Sequence, residues 1–535
     1  MHPGLARFTD LPDELIISIF EDPEFSVESL YFMALLSRRL HRIALAIYFS
    51  RHKIDLSTKK LTVYLKGDDS LDTLSFLRLS LHIDSLEYLS CTIPHPSCTV
   101  IHPVVNQMNR LRSLISRLSS IEEVILIFAD GHASETYRCL AFGDDARLKA
   151  WAHMLGELLH DIVQAGCKHL TVVNGSYLTG TYEILPVSSR PLFIKRIIYS
   201  HSSTVPGFRR SWPQGTEDTR VPVLEPSPKE PFLLSSLCIE SPIFLIPPAL
   251  DWTLSALRHA PITSLTIAVP SARLRDSTEL WTHILPSIAF AAGPHLTNLK
   301  LTEVKAQHAD LVLSVLVVNL PHLTNLDIDF LHWFWHLELS TPPKTSRRSL
   351  KRLTFLRTIP ILAEHLLSRW SLPALRDLTL IWWIPDGQAS EFHFVRPLLS
   401  VMRTLSKSSS LIALRRRPSS VHISLSITAR HSIQSFADRV LSYHLLPQSA
   451  SLPNFFRLVE RIEMTGLYVS YISPLKHGDP LLKFVDLFSQ VEELELQTSG
   501  SVGEVKDLVN GLQVHATLRR IVVDGDVYSL SAGPV

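Results

Sequence analysis

The sequence predicts an α/β protein in which a short three-helix module precedes a long array of strand–helix units. Three observations lead there. Apolar residues recur with helical spacing over residues 8–52. A six-residue pattern, apolar-x-x-apolar-x-apolar, returns from residue 83 onward, and stretches with helical spacing fill the intervals between its copies.

The module comes first. Pro12 suits a helix start, because its missing N–H is one that the first turn could not have bonded, and Asp13 and Glu14 favour the positive end of the helix dipole. Leu11, Leu15, Ile16, Ile19 and Phe20 then share one face, and Asp22 and Pro23 end the helix. Two further apolar-periodic stretches run from Val27 to Leu36 and from Leu40 to Phe49. A unit of ~40 residues is too small to bury a core alone, so it must lean on the domain that follows or on a partner. An N-terminal helical cap would account for this patterning as well.

The Leu11-Pro12-Asp13-Glu14-Leu15 opening, the Ile19-Phe20 pair and the Leu35-Leu36-Ser37-Arg38-Arg39-Leu40 stretch carry a more specific signal. The segment resembles an F-box. That resemblance implies docking onto the Skp-type adaptor of a cullin-RING ubiquitin ligase, with Leu11, Pro12, Leu15, Ile16, Ile19, Phe20, Leu35, Leu36, Arg39 and Leu40 as the adaptor-binding set.

Residues 53–82 are read as a connecting segment and first cap, and residues 83–530 as the array. Copies of the pattern include Ile83-Leu86-Tyr88, Ile121-Val124-Leu126, Ile194-Ile197-Tyr199, Leu234-Leu237-Ile239, Ile262-Leu265-Ile267 and Leu296-Leu299-Leu301. They continue through Leu323-Leu326-Ile328, Leu350-Leu353-Phe355, Leu375-Leu378-Leu380, Val459-Ile462-Met464, Val491-Leu494-Leu496 and Leu518-Ile521-Val523. The last two apolar positions alternate with polar ones, as a half-buried strand requires, and helical spacing marks intervals such as 146–165, 277–292 and 306–320. The array resembles irregular leucine-rich repeats, which implies a curved solenoid with a parallel sheet on its concave face. The Asn or Cys that such repeats place after the third apolar position is absent, so the ladder formed by that residue is not expected. A closed barrel also alternates strand and helix, but it needs eight units over ~250 residues and catalytic groups after the strands. Here the units are more numerous, and no convergent acid, base or phosphate-binding set follows them.

Three stretches interrupt the rhythm. Residues 202–231 carry six prolines and no period, and read as a projecting or disordered loop. Residues 340–349 and 406–420 are shorter and basic; Arg416-Arg417-Pro418-Ser419 reads as a solvated loop or as a basophilic kinase site.

Lys plus Arg is 52 and Asp plus Glu is 51, so no global field draws the chain to nucleic acid or an anionic membrane. Five widely spaced cysteines, without Cys-x-x-Cys, fit a reducing compartment. No basic-then-apolar signal opens the chain, and the longest apolar run, around Leu311 to Leu320, is about half of the ~20 residues that span a bilayer. A cytoplasmic or nuclear protein is expected, with neither nucleic acid nor membrane as partner.

Chemistry-bearing motifs are sparse. Neither Gly-x-Gly-x-x-Gly nor Gly-x-x-x-x-Gly-Lys occurs, Ser57-Thr58-Lys59-Lys60 lacks the partner motif of its family, and His332 and His336 lack a third ligand nearby. No catalytic residue, cofactor or metal is expected. Outward-facing strand positions instead offer a mixed-sign stripe for a target protein: Lys300, Asp327, Arg352, Asp377, Arg461, Glu463, Glu493 and Glu495. Trp333 and Trp382, with Trp335 and Trp383, could add an aromatic anchor or fill strand ends. The expected function is a substrate-recognition subunit binding the Skp-type adaptor and cullin scaffold at one end and a protein substrate along the array. A non-ligase repeat scaffold is the first rival, and a hydrolase on an α/β frame the second.

Overall fold

The computed structural model describes residues 11–65, 71–80, 83–93, 102–129, 145–175, 182–184, 208–210, 224, 232–246, 249–268, 277–304, 308–330, 348–384, 401, 422–429, 459–467, 485–486, 490–498, 509–510, 512 and 517–529. The chain forms two compact units, Met1–His295 and Leu296–Val535.

The first unit opens with α1 (Asp13–Glu21), α2 (Val27–Leu36) and α3 (Arg38–Arg51). Each start has a local cause. Asp13 and Glu14 occupy the first turn of α1 directly after Pro12. Ser26 accepts from Ser29 N at 3.1 Å to cap α2, and Ser37 accepts from Leu40 N at 3.2 Å to cap α3. Arg51, at the far end of α3, donates to the carbonyls of Phe25 at 2.9 Å and Asp22 at 2.6 Å, and to that of Phe20. The Phe20 and Asp22 carbonyls are among the groups that α1 leaves unbonded at its C-terminus. Ile16, Phe20, Leu30, Ala34, Leu40 and Ala44 are buried together with the inner face of α3.

Strand–helix units follow: β1 (Lys60–Tyr64), α4 (Thr73–Leu79), β2 (Ser85–Ile93), α5 (His102–Ile115), β3 (Ser120–Phe128), α6 (Asp145–Gln164) and β4 (His169–Asn174). After an antiparallel pair, β5 (Tyr182–Ile184) and β6 (Phe208–Arg210), come β7 (Ser236–Glu240), α7 (Ala249–His259), β8 (Ser264–Ala268) and α8 (Ser277–Ala292). The strands β1-β2-β3-β4-β7-β8 lie side by side in that order, all parallel. The segment read as a connector, 53–82, thus already holds the first strand and helix of the array.

Across this sheet the inward positions form two buried rows, Leu61-Leu89-Val124-Leu170-Leu237-Leu265 and Val63-Cys91-Leu126-Val172-Ile239-Ile267, every member at most 3% exposed. Burying one such aliphatic side chain contributes ~1.5–3 kcal/mol, and the rows only exist when neighbours stack. The true copy at β2 is therefore Leu86-Leu89-Cys91, three residues later than Ile83-Leu86-Tyr88. The correction has a simple cause: Ile83 and Leu86 repeat the spacing of Leu86 and Leu89, so the pattern fits twice.

The second unit contains β9 (Asn298–Val304), β10 (Asn325–Phe330), the short β11 (Arg348–Ser349), β12 (Phe355–Thr358), α9 (Pro360–Arg369), the short β13 (Trp370–Ser371) and β14 (Asp377–Ile384). It continues with β15 (His422–Ala429), β16 (Val459–Leu467), β17 (Glu493–Thr498), β18 (Arg520–Val523) and β19 (Asp526–Ser529). β9-β10-β12-β14-β15-β16-β17-β18 pair in parallel, and β19 turns back antiparallel on β18. Asp524 and Gly525, at φ 52° and 93°, make the two-residue turn that reverses the chain. The helical interval 309–319 passes from α through π to 3₁₀ geometry.

Register corrects a second copy. Leu356 and Thr358 pair with Leu326 and Ile328, so the copy at β12 is Leu353-Leu356-Thr358 rather than Leu350-Leu353-Phe355. A threonine at the third apolar position hides the true frame. Its buried hydroxyl has no hydrogen-bond partner among the described residues.

A ladder does run beside the strands, built from other residues than the expected Asn or Cys. At strand entry the carbonyl of Thr297 accepts from Thr324 N and Asn325 N at 2.8 and 3.0 Å, and that of Thr324 from Thr354 N and Phe355 N at 2.8 and 3.1 Å. The hydroxyls of Thr324 and Thr354 donate to the same carbonyls at 3.1 and 3.2 Å, and Ser235 and Thr263 do likewise in the first unit at 3.2 and 3.3 Å.

The proline-rich stretch 202–231 is also not one uninterrupted loop. Phe208–Arg210 forms β6, and Leu224 is buried, its carbonyl accepting from the Ser255 hydroxyl of α7 at 2.7 Å.

Candidate functional site

The three N-terminal helices divide the predicted docking residues into two sets. Ile16, Phe20 and Leu40 are within 2% of complete burial and belong to the module's own core. Leu15, Ile19, Leu35 and Leu36 are exposed by 52, 40, 55 and 68%. Phe32, at 62%, joins them. These five are half of the ten large apolar side chains exposed among the described residues; the others, Tyr64, Leu233, Phe290, Val318 and Val527, are scattered along the chain. The sequence reading missed Phe32. Its signal is the spacing to Leu35 and Leu36, at three and four residues, which places all three on one helical face.

Leu15 and Ile19 are four apart on α1, and Pro12 before them is exposed. Leu11 is half-buried, and its carbonyl accepts from Arg39 Nη2 at 2.6 Å. Arg39 Nε also donates to Asp13 Oδ1 at 2.6 Å. Arg39 is thus engaged inside the module, tying the start of α1 to α3. With both partners partly exposed, the ion pair itself contributes only ~0.2–1 kcal/mol.

The module is fixed to the first strand–helix unit by aromatic packing. Tyr48 of α3 stacks on Phe76 of α4 with ring centres 3.5 Å apart and planes 8° apart, and Tyr31 of α2 meets Phe76 edge-on at 5.4 Å. The Tyr48 and Thr73 hydroxyls lie 3.4 Å apart, and burial pushes the Tyr48 phenol up from its ordinary pKa. Asp72, with its carboxylate 1% exposed, caps α4 by accepting from Ser75 N at 3.1 Å and pairs with Arg110 of α5, whose Nη1 donates to Asp72 Oδ2 at 3.1 Å. The small module leans on its own domain, through Tyr31 and Tyr48 against Phe76.

At the row of the open strand face that lies between the two buried rows, the units differ. In the first, Thr62, Ser90, Ile125, Thr171, Cys238 and Thr266 stand side by side, an uncharged row. In the second, the register aligns Lys300, Asp327, Arg357, Thr379, Ser424, Arg461, Glu493 and Arg520. Much of this row is paired internally. Arg357 Nη1 lies 3.2 Å from Asp327 Oδ2, Arg461 Nε 3.6 Å from Glu493 Oε1, and Arg520 Nη1 3.3 Å from the same Glu493 oxygen. Arg461 also pairs with Glu495, which is in register with Glu463 one row further along.

Arg352 does not belong to this row. It precedes β12 and contacts His322 Nδ1 at 2.8 Å, while Arg357 takes the position beside Asp327. The frame slip at β12 explains the substitution. Asp377 falls one row earlier, between Phe355 and His422. Asp329, two residues beyond Asp327, has its carboxyl raised above the ordinary value, first by desolvation and against the pull of Arg357. Trp382 and Trp383 lie in β14, in register with Ile427 and Thr428. Trp333, Trp335, His332, His336, Arg416 to Ser419 and the Ile194 copy lie outside the described residues.

A groove of about 590 Å³ lies at the strand entries of the first unit, lined by Lys59, Glu87, Glu122, Lys168, Gly166 and Leu233 among others. Lys168 and Glu122 pair there at 2.8 Å. Gly166, at φ 82°, closes α6 in the left-handed conformation, its N–H donating to the Val163 carbonyl at 3.1 Å.

No family model matches this chain, and no curated protein matches it in sequence. A functional reading therefore rests on its residues. Among the described residues no group of three or more His, Cys, Asp and Glu is placed to hold a metal ion. Burial pushes the Cys91 thiol far up and the Cys167 thiol to about 12, so neither is a ready nucleophile. Among the described residues no helix is long and apolar enough to cross a membrane.

Proposed function

We propose that the protein is a substrate-recognition subunit of a cullin-RING ubiquitin ligase. In this reading α1 and α2 dock onto a Skp-type adaptor, the adaptor joins the cullin scaffold, and the strand array, as a curved leucine-rich-repeat solenoid, holds a protein substrate in the cytosol or nucleus. The observation that carries the reading is the concentration of exposed Leu15, Ile19, Phe32, Leu35 and Leu36 on two helices of a module whose core is already filled by Ile16, Phe20 and Leu40. Exposed apolar side chains clustered on one small element mark an interaction site, because leaving them in water forfeits ~1.5–3 kcal/mol each. The Leu-Pro-Asp-Glu-Leu and Leu-Leu-Ser-Arg-Arg segments give that site its partner class. The parallel strand array supports the second half of the reading, since its open face offers laterally aligned side chains to a target.

The test is co-purification with a Skp-type adaptor and then with the cullin. Ile19→Asp combined with Leu36→Asp should abolish adaptor capture while the chain remains folded. Capture of the adaptor without the cullin would instead favour a scaffold that borrows the module.

A further inference from the structure

We propose that Phe32 is the aromatic anchor of adaptor docking and that Phe76, which no partner can touch, sets its position through Tyr31; this rests on the adaptor reading above. Phe32 is not among the residues that carry the family resemblance, yet it is 62% exposed on the same helical face as Leu35 and Leu36. Large, stiff aromatic side chains supply much of the energy at protein interfaces, because they bury a wide area at little conformational cost.

The exposed ring is supported from below. Phe32 stands edge-on to Tyr31 at 6.2 Å and 79°, Tyr31 stands edge-on to Phe76 at 5.4 Å and 82°, and Phe76 stacks on Tyr48. Phe76 is completely buried in α4, so any influence it has on docking is indirect, and its contact with Tyr31 is the ring contact that leads toward Phe32. Phe290 on α8 provides the contrast: it is 79% exposed and makes no ring contact among the described residues.

The experiment titrates purified Skp-type adaptor against the full chain and four variants: Phe32→Ala, Phe76→Leu, the double variant and Phe290→Ala. Phe32→Ala should weaken binding about tenfold or more, and Phe290→Ala should leave it unchanged. Phe76→Leu should weaken binding several-fold in the unaltered background and hardly at all once Phe32 is alanine, since coupled residues are not additive. Tyr31→Leu replaces Phe76→Leu in the cycle if the latter lowers the melting temperature sharply. Unchanged affinity in Phe32→Ala overturns the anchor while leaving the adaptor reading intact. Equal losses in both backgrounds overturn the positioning role of Phe76. An unaltered chain that fails to bind adaptor overturns the reading and the anchor together.

Discussion

The apolar face of α1 and α2 and the charged row on the second unit's strands would bind partners by opposite means. The first leaves more than half of each of Phe32, Leu35 and Leu36 exposed. The second has already answered most of its charges, Arg357 with Asp327, and Arg461 and Arg520 with Glu493. Burial at the first releases water from apolar surface and depends little on salt. Binding at the second must exchange existing ion pairs for new ones, so its net gain is small and its salt dependence large. If both surfaces bind partners as proposed, affinity would rest mainly on the helices and selectivity on the strands.

The largest effect that would sharpen this contrast comes from the module's support. Phe76→Ala should cost ~3–5 kcal/mol of stability, measurable by denaturant unfolding, because it removes a buried ring shared by α2, α3 and α4. A loss below ~1 kcal/mol would mean that the module does not lean on the first repeat.

Within the module, Ile16→Asp and Ile19→Asp should part company. The former places a charge in a fully buried site and should unfold the module; the latter alters a residue 40% exposed and should leave the melting temperature nearly unchanged. Similar melting temperatures for the two would contradict the division into core and docking faces.

Smaller effects belong to the strands. Thr324→Val should cost ~0.5–1.5 kcal/mol through the lost hydroxyl bond to Thr297, and the same change at Thr358, whose hydroxyl bonds nothing among the described residues, should stabilise. Thermal scans of the two variants read the sign directly.

The smallest effect is a pH dependence. The Asp329 carboxyl has a folded-state pKa raised above the ordinary 3.8, so its contribution is unfavourable once it ionises. Stability from this group is full below 3.8 and is lost as pH rises through the raised value. Asp329→Asn should therefore melt higher than the unaltered chain at neutral pH, with the gap closing on acidification. A gap that widens at low pH would place Asp329 in a favourable ion pair instead.

Much of the fold was legible because period-two burial leaves a strong trace: Leu296-Leu299-Leu301 and Leu323-Leu326-Ile328 lie in the predicted frame. Frames slipped where the pattern fits twice, as between Ile83 and Cys91, and where a true position holds Thr358, which an apolar template passes over. The strand-entry ladder was also written in the sequence, as Leu-Thr-Asn-Leu at 296–299 and 323–326 and Leu-Thr-Phe-Leu at 353–356, but threonine was not the residue sought. At the module, periodicity located the helices without saying which side faces out. α2 is apolar on more than one side, so Leu30 and Phe32 look alike until α3 covers the first and leaves the second. The aromatic support was invisible, because Tyr31, Tyr48 and Phe76 meet only once two helices and a strand–helix unit have packed.

Docking of the N-terminal helices onto a Skp-type adaptor, as proposed, is decided by titrating purified adaptor against the full chain. Saturable one-to-one binding, insensitive to salt and lost in the Ile19→Asp, Leu36→Asp variant at unchanged melting temperature, is the predicted result. No binding by the unaltered chain, or undiminished binding by that variant, would contradict it.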